Sequence, residues 1–128
     1  MNAARSAWDD AGPFFDREGL IRFTGWSPGE LDTRVAGGQL LLLPASDGKE
    51  MYPDWQFDEA GNLIPHLSEI LSILGRAYDP WDTAAWLSTE LPACGDRTAW
   101  QVLRADDSED VAEVLLEARH DAGATLSP

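Results

Sequence analysis

The sequence predicts a mostly helical α+β fold, in which a small lobe of a helix-turn-helix and a β-hairpin precedes a lobe of four helices. Early in the chain, two segments begin at helix caps and end at glycines, and an Asp-Gly turn between apolar segments follows them. Later, leucine and isoleucine recur at helical spacing. With 128 residues and 44% apolar content, the chain can form one packed core, which we expect around Trp55 and Phe57.

These elements divide the chain into four predicted parts. Residues 1–14 form a flexible leader that ends near a Gly-Pro pair. Residues 15–64 form the helix-turn-helix and hairpin lobe, whose outline is that of a winged arrangement. Residues 65–120 form the helical domain, and residues 121–128, which are small and polar, form a mobile tail.

The two helices of the first lobe are predicted from their caps. Asp16 can cap a helix over residues 17–24, which we expect to bury Phe23 together with its apolar neighbours. Ser27, which precedes a proline, opens a second helix over residues 28–36. A glycine pair ends this helix.

A hairpin and a further strand are predicted next. The segments 40–43 and 49–53 flank a turn that contains Asp47-Gly48, a pair favoured in hairpins. Trp55 and Phe57 alternate with polar residues, so we expect another strand at this point.

Four helices are predicted in the second lobe. The spacing of apolar residues indicates the first of them over residues 65–76. Asp79 caps the second before a proline, Thr98 caps the short third one, and Ser108 caps the last. The buried stripe of the last helix consists of Val111, Val114, Leu115 and Ala118.

The net charge of −14 is concentrated in the second half of the chain. Residues 54–128 carry fifteen acidic and four basic side chains, a net charge of −11. Nucleic acid should be repelled by this half, and a basic protein surface should be attracted to it. The alternative is that the acidic residues serve only solubility.

Candidate groups for catalysis or for binding a metal are few. The acidic pairs are typical of solvated or capping residues, and His66 and His120 lie near helix ends. The single cysteine, Cys94, lacks an adjacent base, cannot form an internal disulfide, and suits the reducing cytoplasm. No apolar run approaches the roughly 20 residues of a membrane helix. We expect a cytoplasmic protein that is not an enzyme and has no cofactor, metal or membrane partner.

The predicted helix over residues 28–36 is poorly suited to DNA. It carries two acidic side chains and one arginine, whereas phosphate binding requires several basic groups. The candidate DNA-binding residues are Arg17, Arg22 and Arg34, which a multimer could present together. The alternative is that the helix-turn-helix serves dimerisation or packing.

Three of the six tryptophans, Trp81, Trp86 and Trp100, fall in the predicted helical domain. A role in the core is the default for each, because an indole ring supplies a large buried area. The alternative is an anchor at a protein interface, where tryptophan and arginine are enriched.

Several of these segments together resemble the Xre/MbcA/ParS-type antitoxin family. The segment Tyr52–Asp58, followed by a glycine and a proline, is similar to that family's "YPxxQFd…G…P" block. Asp79-Pro80-Trp81, then Trp86-Leu87, and the segment from Gly95 through Leu103 are similar to its toxin-binding region. The resemblance covers about residues 15–119. Ala99 stands where the family usually has proline, and the segment 88–92 replaces an asparagine-rich turn.

This resemblance implies an antitoxin of a type II toxin-antitoxin system, which binds a RES-domain toxin that degrades NAD⁺ and occludes its active site. It also implies a hetero-oligomeric complex with that toxin, and we expect a homodimer. The residues expected to contact the toxin are Trp86, Arg97, Trp100, Glu113, Glu117 and Asp121. We expect the last three to face a basic cleft, since a dinucleotide pocket must accommodate a pyrophosphate. The alternative function is a DNA-binding transcriptional regulator whose acidic C-terminal half mediates oligomerisation.

Overall fold

The computed structural model describes residues 13–126, which form a mostly helical α+β fold. This part of the chain contains six α-helices and two small antiparallel sheets, and the predicted fold class is confirmed at that level. The predicted leader lies outside the described residues as far as residue 12. Its last residue, Phe14, already belongs to a strand, since it pairs with Pro53.

The first half contains a three-stranded sheet and two helices. In chain order its elements are β1 (Phe14–Phe15), α1 (Arg17–Thr24), α2 (Pro28–Ala36), β2 (Leu43–Pro44) and β3 (Glu50–Pro53). Strand β3 lies in the centre, antiparallel to both neighbours. The two helices have the predicted bounds, because the side chains of Asp16 and Ser27 accept hydrogen bonds from the N–H groups of Gly19 and Glu30, at 2.7 and 3.1 Å.

The side chain of Phe23 is a correction to the first predicted helix. It is 40% exposed, although its position on α1 predicted burial. The ring stacks on that of Phe15 at 4.9 Å and meets the edge of Phe57 at 5.9 Å. Phe23 therefore packs at the rim of the core, beside strand β1.

The hairpin of β2 and β3 is confirmed, with shorter strands than predicted. Leu43 lies opposite Met51, and the turn is closed by a bond from the Ala45 N–H to the carbonyl of Lys49 at 2.9 Å. Most of the predicted segment 40–43 lies outside strand β2, because the backbone of Leu41 is bound by a side chain, that of Gln56.

The further strand predicted at Trp55 and Phe57 is reduced to an isolated antiparallel bridge between Phe57 and Leu63. Asp54–Gln56 form a 3₁₀ turn, and Trp55, Gln56 and Phe57 are all buried. The Gln56 amide accepts from the Leu41 N–H at 2.5 Å and donates to the Leu41 carbonyl at 3.0 Å. Because the Gln56 side chain has its hydrogen-bond partners inside the core, the alternation of polar and aromatic residues does not produce one solvent-exposed face and one buried face.

The second half contains the four predicted helices and a short hairpin. In chain order its elements are α3 (Leu67–Leu74), α4 (Pro80–Leu87), β4 (Glu90–Leu91), a 3₁₀ turn (Pro92–Cys94), β5 (Arg97–Thr98), α5 (Ala99–Ala105) and α6 (Ser108–Leu126). Asp79 caps α4, and Thr98 forms a reciprocal capping box with Gln101 at the start of α5. Helix α3 begins two residues later than predicted, because His66 has a left-handed backbone with φ of 65°.

Helix α6 differs from the prediction at both ends. Asp107 acts as its cap in place of Ser108, since its carboxylate accepts from the N–H groups of Glu109 and Asp110. The helix continues to Leu126, so residues 121–126 are helical where a mobile tail was predicted. Ala122 is buried and extends the stripe that the sequence indicated, which explains why the helix does not stop at residue 120.

One hydrophobic core joins the two halves, from Leu20 in α1 to Ala118 in α6. The Trp55 and Trp100 rings stack at 6.0 Å with an interplanar angle of 11°. The indole of Trp81 in α4 donates to the carbonyl of Pro44 in the hairpin at 2.9 Å. These contacts hold helices α4 and α5 against the first half of the chain.

Candidate protein-binding surface

The outward side of helix α6 presents an exposed apolar residue and two carboxylates. Leu116 is 59% exposed. Glu113, three residues earlier, and Glu117, the next residue, are also exposed. Residues three and four apart lie on the same side of a helix. We name Glu113, Leu116 and Glu117 the acidic face.

A small groove lies beside the acidic face. It has a volume of about 260 Å³ and is lined by Leu91, Pro92, Ala93 and Cys94 together with Glu113 and Glu117. The chain between strands β4 and β5 therefore provides an apolar wall, and α6 provides the two carboxylates. An apolar depression bordered by charge is typical of surfaces that bind proteins.

Cys94 lies at this groove but is poorly suited to react there. Only 3% of the residue is exposed. Burial raises the pKa of the Cys94 thiol, and the carboxylate of Asp110 raises it further. Since the thiolate is the reactive form, Cys94 at neutral pH acts as an apolar side chain.

Two of the residues predicted to contact a toxin, Trp86 and Asp121, are joined by an internal hydrogen bond. The indole N–H of Trp86 donates to the carboxylate of Asp121 at 2.8 Å. Both side chains are only partly exposed. This bond ties α4 to the C-terminal part of α6, so both residues have a structural role.

Arg97 also has an internal role. Its guanidinium donates to the carboxylate of Asp110 at 2.6 Å and to the carbonyl of Cys94 at 2.9 Å. These bonds hold the short hairpin of β4 and β5 against the first turn of α6. Of the predicted set, the structure therefore brings only Glu113 and Glu117 together on one open surface.

Trp100 lies in a different part of the molecule. It stacks on Trp55, and the guanidinium of Arg104 lies over its ring at 4.9 Å. It lines a second, larger groove with Phe23 and Asp54, apart from the residues of the acidic face.

Leu116 was missed by sequence reasoning. It ends the apolar run Val114-Leu115-Leu116, and a narrow buried stripe accepts two of three consecutive positions. The three consecutive apolar residues therefore predict that one of them is exposed, but only the packing of α6 shows that it is Leu116.

Two of the three candidate DNA-binding residues are neutralised by acidic neighbours. Arg17 pairs with Asp32 at 2.8 Å and with Glu50 at 3.3 Å. Arg34 pairs with Glu30 at 2.9 Å. The guanidinium of Arg17 lowers the pKa of the Asp32 carboxyl, so this pair stays charged on both sides at neutral pH.

Arg34 is held further by a bond to Gln39 at 3.1 Å and by the ring of Trp26, which lies 4.4 Å from its guanidinium carbon. Arg22 is exposed in the last turn of α1, and within residues 13–126 no ion pair includes it. The three arginines therefore do not form one open basic patch.

The described part of the chain contains neither a candidate metal site nor a candidate membrane-spanning helix. Over residues 13–126, no three His, Cys, Asp or Glu side chains are placed to hold a metal ion. In the same range, no helix has both the length and the apolarity needed to cross a bilayer.

Comparison with known proteins supports the fold. No protein family matches the sequence, and no curated protein matches it significantly. A solved structure, the NMR structure of Rv2175c, is similar with a TM-score of 0.71 and 20% sequence identity. The similarity covers 86% of this chain and 81% of that chain. At this identity the likeness concerns the arrangement of the elements alone.

Proposed function

We propose that this protein is an antitoxin that binds a RES-domain, NAD⁺-degrading toxin and inhibits it without catalysing a reaction itself. The observation that carries the proposal is the exposed part of α6, where Leu116 lies beside Glu113 and where Glu113 and Glu117 border an apolar groove. The kind of partner is inferred from the motifs in residues 52–65 and 79–103, which resemble those of the Xre/MbcA/ParS-type antitoxins.

The charge of the acidic face fits the chemistry of such a partner. A pocket that binds a dinucleotide pyrophosphate is expected to be basic at its entrance. Glu113 and Glu117 can pair with cationic groups at that entrance, and Leu116 can enter an adjacent apolar depression. Apolar contact then supplies affinity, and charge complementarity supplies specificity and rapid association.

The proposal is tested by removing the charges of the acidic face without disturbing the fold. In the variant Glu113→Gln/Glu117→Gln, we expect inhibition of the co-expressed toxin to weaken by about tenfold or more, since interfacial charge pairs contribute on this scale. Asp121 is left unchanged because it accepts a hydrogen bond from Trp86. Inhibition is measured as NAD⁺ consumption by the toxin at increasing amounts of each variant, and growth rescue is scored in parallel.

A matched control removes the same number of charges elsewhere. Glu18 in α1 and Asp82 in α4 are both exposed, and neither lines the groove beside α6. The variant Glu18→Gln/Asp82→Asn should inhibit as well as the native chain. Equal inhibition by both double variants would reject the acidic face as the toxin-binding surface, and failure of the native chain to bind any such toxin would reject the function.

The second candidate function is DNA-binding regulation of transcription. What favours it is the order of elements: α1 and α2 are joined by three residues, with Gly25 at φ of 78°, and the hairpin then completes a sheet of order β1-β3-β2. A helix pair followed by a hairpin is the outline of a winged helix-turn-helix. The pairing of Arg17 and Arg34 with carboxylates argues against strong phosphate binding.

The two candidates are separated by mobility-shift measurements with the chain's own upstream DNA. For a DNA-binding regulator, the fragment should shift at 50 mM salt, lose affinity steeply as salt rises, and bind less well to Arg22→Ala. A homodimer, which would bring two copies of Arg22 together, is checked by sedimentation equilibrium. Absence of any shift at low salt would leave only the antitoxin proposal.

A further inference from the structure

A groove at the junction of the two halves combines aromatic walls with carboxylates. It has a volume of about 410 Å³ and lies on the side of the molecule where Trp100 is exposed in part. Its lining includes three aromatic rings and three carboxylates, which we name the aromatic groove: Phe15, Phe23, Trp100, Asp54, Asp58 and Glu59. A groove of this size can hold an entire side chain and its neighbours.

The aromatic walls are held rigidly by their own packing. The Phe15 and Phe23 rings stack at 4.9 Å, and both meet the buried ring of Phe57 edge to face. On the other wall, the ring of Trp100 is fixed against Trp55. Two rigid aromatic walls provide apolar contact at little cost in side-chain entropy.

The charge of the groove is negative, and one carboxylate is partly desolvated. Asp54, Asp58 and Glu59 lie along it, and Arg104 is the basic residue among those that line it. Burial raises the pKa of the Asp54 carboxyl, and the charge of Arg104 offsets only part of that effect. A second cation in the groove would compensate the charge that remains.

Arg104 displays the same kind of recognition within the chain. Its guanidinium lies over the Trp100 ring at 4.9 Å and donates to the carbonyls of Trp55 and Phe57 at 3.1 and 2.6 Å. The groove edge therefore already accommodates one guanidinium through an aromatic face and oxygen acceptors. The carboxylates and the exposed Phe23 line the same groove.

We propose that the aromatic groove is a second binding site, which receives an arginine or lysine side chain presented by a partner protein. The exposed ring of Phe23 contacts the aliphatic stem of the cation, and Asp54, Asp58 and Glu59 accept its hydrogen bonds. Nucleic acid is disfavoured here, since carboxylates repel phosphate. The site is separate from the acidic face of α6 and does not depend on the proposed toxin.

The site is tested on the full chain with peptide probes. The first probe is a short acetylated and amidated peptide with a central arginine, and the second has citrulline in its place, which keeps the shape and removes the charge. The third is acetyl-arginine methylamide. Binding is measured by chemical-shift changes of the Trp100 indole and of backbone amides near Asp54. We expect the arginine peptide to bind about tenfold more tightly than the citrulline peptide.

Variants assign the binding to the groove. Asp54→Asn/Glu59→Gln should lose most of the affinity for the arginine peptide, whereas Asp82→Asn, which removes a charge outside the groove, should keep it. Asp54→Asn should fold, because burial already disfavours the charged form of this group.

Each outcome decides the proposal. Equal binding of the arginine and citrulline peptides, or unchanged binding by Asp54→Asn/Glu59→Gln, would overturn it. If acetyl-arginine methylamide bound as tightly as the arginine peptide, the site would serve a free organic cation, and a partner protein would be rejected. Tighter binding of the peptide supports a polypeptide ligand.

Discussion

Gln56 should be one of the most sensitive polar positions in the chain. The residue has no exposed surface, and its amide makes three hydrogen bonds to backbone groups of Leu41 and Pro53. The variant Gln56→Leu keeps the approximate volume and removes all three bonds. The N–H and carbonyl of Leu41, which is 8% exposed, would then be buried without partners.

The expected loss of stability follows from those unpaired groups. Each buried donor or acceptor left without a partner costs about 1–3 kcal/mol. Burying the apolar leucine side chain offsets part of the cost of the two unpaired Leu41 groups. The free energy of unfolding should therefore fall by about 2–4 kcal/mol. With a urea slope of about 2 kcal/mol per M, the middle of the range for a small domain, the midpoint should fall by about 1–2 M.

The measurement is urea unfolding followed by tryptophan fluorescence. Gln39→Leu is the matched control, because Gln39 is exposed and its amide oxygen accepts a hydrogen bond from the partly exposed side chain of Arg34. This control should change the free energy of unfolding by less than about 0.5 kcal/mol. Equal midpoints and slopes for the two variants would refute the assignment of Gln56 as a structural link.

Three further changes test the internal contacts of the fold. Burial and the bond to Glu50 raise the pKa of Tyr52, so its neutral form is favoured in the folded chain. Tyrosine in the unfolded chain ionises near pH 10, so the contribution of Tyr52 to stability should be complete below about pH 10 and should fall as the pH rises above it. The variant Tyr52→Phe should lose this alkaline decrease of the thermal unfolding midpoint. Arg97→Leu should cost about 1 kcal/mol in urea unfolding through the lost bond to Asp110, and a variant as stable as the native chain would contradict the structural role. Thr98→Ala should cost about 1 kcal/mol in urea unfolding by removing the cap of α5, whereas Thr98→Ser should cost less, and equal effects would contradict the capping role.

The helices were predictable because their signals are local. Asp16, Ser27, Asp79 and Thr98 each precede a helix whose first residue they determine, and each accepts the expected backbone hydrogen bond. Such bonds join residues three positions apart, so the sequence alone is sufficient to recognise them. The cap of α6 was misassigned by one residue, since Asp107 and Ser108 are both good caps.

The region around Gln56 was not predictable because its partner is distant. The amide binds the backbone of Leu41, fifteen residues earlier, and no pattern of alternation contains that information. A polar residue between two aromatics indicated an exposed strand position, whereas the structure satisfies it in the core. This tertiary bond outweighs the local preference.

The candidate site was predictable in part, for a similar reason. Charge patterning placed Glu113 and Glu117 on an exposed side of the last helix, where the structure has them. Trp86 and Arg97 were expected to face a partner, but their acceptors, Asp121 and Asp110, lie thirty-five and thirteen residues away. Which polar side chains remain available for a partner depends on contacts that form only after folding.

The core shared by the two halves has a consequence for how this protein can evolve. Because the indole of Trp81 reaches the hairpin and Arg104 reaches the carbonyl of Phe57, neither half buries its apolar surface without the other. The two halves therefore cannot be exchanged independently between related proteins. A chimaera joined near residue 64 should be insoluble unless the residues that contact each other across the two halves come from the same parent protein. New binding specificity must therefore arise by substitutions of surface residues, at positions such as Leu116 whose side chains do not pack in the core.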